Sequence, residues 1–291
     1  MSDPSTLHAE QLAFWNGPAV TCWITKQEQM DAALAPVADA AITLAAVQSG
    51  ERVLDIGCGS GATSISLAHL VGPTGHVTGL DVSGPMIELA RKRSVGMGNL
   101  DWLLADAAAH DFPPRSADLL FSRFGVMFFG EPVTAFANLR RALRPGGRLV
   151  FACWRPLNEN PWMLLPLQVV QSLVPPVPRP GPNDPGPFAF GDPERVTHIL
   201  TTAGFASPRY VRPNSQWSSE QAWMTRQSRP PPWAPPAGPC KDNRSQSSKS
   251  PERRFELHWY PISNLGGWRF RAPFGWSKAR RPNSRGFRLA V

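Results

Sequence analysis

The run Val53-Leu54-Asp55-Ile56-Gly57-Cys58-Gly59-Ser60-Gly61 constrains this chain more than any other segment. An apolar strand passes straight into a glycine-rich turn, and Ala62 to Leu70 beyond it carries a helical pattern. Glycines at such a turn let backbone approach a ligand where any Cβ would intrude. A large polar ligand is therefore expected across it. Taken alone, the pattern leaves two ligand classes open. Gly57, Gly59 and Ala62 fit the relaxed dinucleotide fingerprint, and dinucleotide and single-nucleoside sites both want an acidic residue about 20 positions on. Asp81 stands at the end of the next strand, where its carboxylate can accept both hydroxyls of a ribose.

Around this turn, strands and helices alternate. Strands are expected at Arg52 to Ile56, His76 to Leu80, Asp101 to Ala105, Ala117 to Ser122 and Arg148 to Trp154. Helices are expected at Ala62 to Leu70, Pro85 to Arg93 and Pro132 to Leu143, with Pro145-Gly146-Gly147 as a turn into the fifth strand. Such alternation predicts an α/β fold with a mostly parallel sheet covered by helices on both faces. Before it, residues 1–50 form a helical N-terminal segment ended by Gly50, with Leu34, Val37, Ala38, Ala41, Ile42 and Ala45 on one stripe. Residues 51–155 are the core, and residues 156–190, rich in Pro, a cap over the sheet. In residues 191–215, Asp192 caps a helix that Pro193 opens and Gly204 closes, and Arg209 to Val211 starts a strand.

Charge divides the chain differently. The net charge is +8, but residues 1–215 hold 16 Lys and Arg against 18 Asp and Glu, while residues 216–291 hold 14 against 4. The basic character belongs to a tail in which neither structural period is sustained, and where Phe255 to Ile262 is the one candidate strand. Such a loss of pattern, with Arg, Pro, Trp and Ser enriched, is what an out-of-frame reading of GC-rich DNA produces. Cys22, Cys58, Cys153 and Cys240 have no paired spacing, so no metal site is expected and the thiols read as reduced. With no apolar run of about 18 residues, membrane insertion is not expected and a cytoplasmic location is.

Three features separate the ligand classes. Asp55 falls inside the strand end, two residues before Gly57, where dinucleotide folds usually place an apolar residue. Asp106-Ala107 follows the third strand at the same edge, and Pro145-Gly146-Gly147 precedes the fifth. Together these motifs resemble the class I S-adenosylmethionine-dependent methyltransferases, specifically the small-molecule type of quinone biosynthesis, over residues 10 to 213. The resemblance implies a Rossmann-like sheet whose last strand is antiparallel. It implies that Gly57, Cys58, Gly59 and Gly61 face the methionine part of S-adenosylmethionine, that Asp55 orders the loop and helps hold the amino group, and that Asp81 holds the ribose. Val82 and Met86 then pack near the nucleoside, Asp106 and Ala107 meet the adenine, and Ser122 presents backbone near the sulfonium.

In-line transfer from an activated sulfonium depends mainly on orientation, so no catalytic residue is assigned. His8 reads as a surface residue. Acceptor walls in the family come from the N-terminal segment and the loops after the fourth and fifth strands. Here these hold Trp15, Asn16 and Trp23, then Arg123, Phe124 and Phe128, then Trp154, Arg155, Asn158 and Trp162. An aromatic pocket with two cationic residues predicts a small aromatic or polyketide-like acceptor. Two other readings remain at this point: an RNA methyltransferase using the basic tail, and a cofactor-binding protein with impaired transfer. Ser122-Arg123-Phe124-Gly125 lacks the Asn/Asp-Pro-Pro-aromatic motif of base amino methyltransferases, so nucleic acid is not the expected partner.

Overall fold

The computed structural model describes residues 4–171, 181, 184–206 and 208–211, and the backbone of 288–290. Three helices come first: α1 (Pro4–Asn16), α2 (Ala19–Thr25) and α3 (Gln27–Ala45). The alternating core follows: β1 (Arg52–Ile56), α4 (Ala62–Val71), β2 (His76–Asp81), α5 (Gly84–Arg93), β3 (Leu100–Leu104), β4 (Ala117–Arg123), α6 (Pro132–Ala142) and β5 (Leu143–Cys153). Beyond it lie α7 (Pro161–Gln171), α8 (Pro193–Thr202), β6 (Tyr210–Val211) and β7 (Arg288–Ala290). Strand order is β3-β2-β1-β4-β5-β7-β6. The pairings among β1 to β5 are parallel, and β7 is antiparallel to both neighbours. The candidate strand Phe255 to Ile262, the rest of the basic tail and most of the Pro175 to Pro187 stretch lie outside the described residues.

Each face of the sheet has its own apolar layer. Val37, Ala41 and Ala45 of α3 and Leu67, Ala68 and Val71 of α4 pack with Val53, Val77, Leu119 and Phe121 on one face. Phe136 and Leu139 of α6 and Val196, Ile199 and Leu200 of α8 pack with Ile56, Leu120 and Phe151 on the other. Strands buried on both faces read as continuous apolar runs, which is why Leu119-Leu120-Phe121 carries no polar alternation. At α8, the Asp192 carboxylate accepts the Glu194 N–H at 2.9 Å, as the N-cap expectation requires.

Two local expectations change. Residues 4–45 form three helices, broken at Gly17-Pro18 and at Lys26, and α3 ends at Ala45, with Ala46 in the left-handed region, before Gly50. Pro145-Gly146-Gly147 lies inside β5: Leu143 pairs with Ala117, the next residues bulge, and pairing resumes at Arg148 with Leu119. Within the cap segment, α7 runs through Pro166, whose ring nitrogen has no N–H to donate to the preceding turn. Leu165 of α7 is exposed, as a surface segment allows.

Two loops interlock where β1 and β4 end. Gly57 has φ +65, and a Cβ there would stand 2.6 Å from the Gly125 Cα. Gly59 is also left-handed, φ +55, but a Cβ there would meet nothing within 4 Å. Gly57→Ala should therefore destabilise the fold by about 2–4 kcal/mol through backbone strain and overpacking together, and Gly59→Ala by only about 1–2 kcal/mol. Chemical denaturation of the two variants checks this ordering.

Candidate functional site

Because β3, β2 and β1 are neighbours in the sheet, the carboxylates that follow them line one edge. Asp55 is fully buried; its Oδ2 accepts hydrogen bonds from the Thr63 and Ser64 hydroxyls, both at 2.6 Å. Its Oδ1 is buried with no hydrogen-bond partner. Burial pushes the Asp55 carboxyl up to about 6, against the pull of the two hydroxyls. Asp81 accepts the Gly59 N–H at Oδ2 (2.8 Å) and the Ser83 N–H at Oδ1 (2.9 Å), and burial raises it as well. One bond per oxygen leaves each with a further lone pair. Asp106 accepts the Ala108 N–H at 2.9 Å and pairs with His8 Nε2 at 3.2 Å. His8 is thus not merely a surface residue.

The glycines of the turn divide by what surrounds them. Gly57 and Cys58 donate their N–H groups to the Leu80 carbonyl at 2.9 and 3.1 Å, fixing the turn against β2. Gly59 faces open space, whereas a Cβ on Gly61 would collide with the Trp102 ring. The absence of a side chain at Gly61 therefore serves packing of α4 on the sheet. The thiol of Cys58 is buried and pushed well above its ordinary value, chiefly by burial, so it is no nucleophile. Met86 and Ala107 are likewise buried in the fold. Val82 lines a groove of about 110 Å³ with Leu12, Leu104, Ala105 and Asp106, between α1 and the ends of β2 and β3.

The helical segment is tied to this edge. The Asn16 amide donates to the Val82 carbonyl at 3.0 Å, and its Oδ1 accepts the Gly84 N–H at 3.1 Å. Asn16, expected on the acceptor wall, instead pins α1 to the loop after β2. Trp15 lies 5.8 Å from Trp23 and 5.3 Å from Phe128, ring centre to ring centre, so the structure brings these aromatics together. Phe124 stacks on Trp154 at 4.1 Å with 7° between planes, and Trp162 meets Trp154 at 5.1 Å. Phe124 holds a left-handed φ of +69, a strain of about 1–3 kcal/mol that the Trp154 stack offsets in part.

Ser122 is fully buried; its hydroxyl donates to the Ile56 carbonyl at 2.7 Å and accepts the Gly125 N–H at 3.2 Å. The second expected cation, Arg155, is committed elsewhere: it pairs with Glu159 at 2.5 Å and donates to the Gly191 carbonyl at 3.0 Å. Sequence reasoning missed Thr63, Ser64, Asp31 and Arg93. Arg93 binds Asp31 at 2.6 Å and the Ser60 carbonyl at 2.5 Å, joining α3 and α5 to the turn. Two hydroxyl residues directly after the turn were a usable signal for Thr63 and Ser64; residues 62 positions apart left none for Asp31 and Arg93. Among the described residues, no cluster of three or more His, Cys, Asp or Glu is placed to hold a metal.

Residues 53–147 match the family model of a methyltransferase domain. Aklanonic acid methyltransferase DauC of Streptomyces sp. (strain C5) is 43% identical over 105 residues, 35% of this chain and 48% of DauC. The ubiquinone/menaquinone biosynthesis C-methyltransferase UbiE of Pseudomonas fluorescens (strain Pf0-1) is 39% identical over 113 residues, 38% of this chain and 44% of UbiE. The chain thus spans a little under half the length of the curated relatives it matches. A solved SAM dependent methyltransferase from Aquifex aeolicus, 21% identical, covers 73% of this chain and 92% of its own with a TM-score of 0.45. Residues 53–147 are thus similar to a methyltransferase domain, and they lie on a Rossmann-like sheet.

Asp55 makes the stability of the free protein depend on pH. Its folded-state value, about 6, lies above its ordinary 3.8, so between these values the native state holds the extra proton. Stability is fully present below the lower value, falls as pH rises through the window, and levels off above it. The total loss is about 3 kcal/mol. Asp55→Asn removes this slope: urea titrations at pH 4 and pH 8 should show the variant gaining on the parent by that amount at the higher pH.

Proposed function

We propose that the protein is an S-adenosylmethionine-dependent methyltransferase acting on a small, flat acceptor. The row of Asp55, Asp81 and Asp106 beside an open Gly59 carries this reading. The residues suit the cofactor. The orphaned Asp55 Oδ1 is an acceptor for an ammonium group, and Asp81 has lone pairs spare for ribose hydroxyls. Asp106 and the groove with Val82 fit an adenine, with Met86 and Ala107 as its packed floor. Gly57, Cys58 and Gly59 supply the backbone that the amino-acid part lies against. When bound, the sulfonium supplies an already activated methyl group.

The chain's own work in this reading is positional, worth on the order of 7 kcal/mol or more. Ser122 locks the end of β4 to β1, fixing the Phe124 ring on the acceptor side. Trp15 and Trp23 offer faces that stack a flat acceptor and attract a cation, with Trp154 buried behind Phe124. The names of DauC and UbiE concern aklanonic acid and quinone biosynthesis, and such flat acceptors suit these faces. Helices α1 and α2 act as a lid, held by His8 on Asp106 and Asn16 on the loop after β2. A cytoplasmic setting accords with Cys22, Cys58 and Cys153 as free thiols. Among the described residues, no helix is long and apolar enough to cross a membrane.

Calorimetry with S-adenosylmethionine, S-adenosylhomocysteine and NAD tests the cofactor: binding of the first two at micromolar level, and none of NAD, is the expected result. Tight NAD binding alone overturns the reading. For the acceptor, Trp15→Ala should lower kcat/KM about tenfold or more across a panel of quinones and hydroxylated polycyclic aromatics. Unchanged turnover across that panel would remove the aromatic wall from the mechanism.

A further inference from the structure

Helix α1 meets the sheet edge with a single stripe. His8, Leu12 and Asn16 follow one another at intervals of four and so share a face. The outer two make polar contacts. His8 Nε2 lies 3.2 Å from Asp106 Oδ2, and Asn16 bonds the Val82 carbonyl at 3.0 Å and the Gly84 N–H at 3.1 Å. Leu12, between them, closes the groove formed by Val82, Leu104, Ala105 and Asp106. None of residues 6–16 is buried, whereas α3 buries Val37, Ala38, Ala41 and Ala45. The helix is therefore fastened by polar contacts rather than by core packing, and elements with few buried apolar contacts open at low cost. Its link to α2 is equally slight: Val20 and Thr21 donate to the Gly17 and Pro18 carbonyls, and Pro18 has no N–H to offer α1.

The two polar contacts differ in what they occupy. Asn16 engages backbone groups only, while His8 engages a carboxylate at the open edge of the sheet. Asp106 Oδ1 is turned to the Ala108 N–H, so Oδ2 is the oxygen that faces away from the local backbone, and His8 sits on it. A carboxylate only accepts, which makes the His8 Nε2–H the donor. An imidazole on Oδ2, with Leu12 one turn further along, crowds the path by which a planar base would bring its amino group to the same oxygen. The groove has about 110 Å³, well under the roughly 300 Å³ at the small end of ligand sites. We infer that α1 is an autoinhibitory gate: in the free protein His8 holds Asp106 against the nucleoside, which enters only when α1 swings out about Gly17-Pro18. This rests on the proposed cofactor with its adenine at Asp106, and it goes further by giving His8 a contact that ligand binding must undo. Once an adenine is on Asp106, His8 stays displaced, whereas the backbone partners of Asn16 remain available to draw the helix back. Because only the open fraction admits ligand, apparent affinity falls with that fraction.

Stopped-flow binding of S-adenosylhomocysteine to the parent and three variants tests the gate. His8→Ala should associate about three- to fivefold faster and bind correspondingly tighter, with dissociation unchanged. His8→Gln, whose amide can still donate to Asp106, should stay close to the parent. Asn16→Ala should speed association and dissociation alike, since Asn16 holds α1 in both states. Ligand binding by each variant reports that it is folded. Slower association or weaker binding of His8→Ala overturns the gate and makes His8 a contact for the ligand instead. Association rates equal to the parent's in both His8→Ala and Asn16→Ala overturn it as well, because α1 then does not limit entry. Failure of the parent itself to bind S-adenosylhomocysteine overturns the cofactor assignment, a separate result.

Discussion

At the end of β1 two backbones meet with no side chain between them. Gly57 and Gly125 approach so closely that a Cβ on either would overlap the other's main chain, and Ser122 fastens the same junction through its hydroxyl to Ile56. Everything at the upper edge of the sheet depends on this contact. It sets where the turn 57–61 lies relative to β4. That position in turn decides where Gly59 opens to space, where Asp81 reaches the Gly59 N–H, and where Phe124 is forced into a left-handed conformation against Trp154.

The site is a place where polar groups are buried at a loss. Asp55, Asp81 and Arg123 are each shifted by burial toward their neutral forms. Of these, Asp81 alone has both oxygens bonded, each to a backbone N–H group. Apolar packing on both faces of the sheet supplies the stability that tolerates this arrangement. Such preorganisation suits the proposed methyl transfer, since that reaction gains more from fixed reactants than from proton movement. Helix α1 shares in it, reaching the edge through two hydrogen bonds of Asn16 and the His8 pair with Asp106.

Much of the fold was legible because buried parallel strands and their covering helices differ sharply in period and length. The first strand was read to the residue, and the α8 cap and its three buried apolar residues were as well. What failed did so for local reasons. Pro145-Gly146-Gly147 reads as a turn, but strand pairing on either side of it turns it into a bulge inside β5. Asn16 and Arg155 looked like pocket residues because their types suit a pocket; a hydrogen bond to a distant loop and an ion pair four residues away give them other work.

By itself the sequence determined the architecture and the row of acidic groups, because strand period, glycine placement and the spacing of Asp55, Asp81 and Asp106 are local properties that survive in one dimension. Only the tertiary structure decided which glycine opens to space and which faces Trp102, since both have the same freedom in the chain and differ only in what other elements bring against them. It alone also decided that Asp31 satisfies Arg93 and leaves Arg123 unpaired. The partner of a buried charge is chosen by packing of elements far apart in sequence, and no local pattern records that choice.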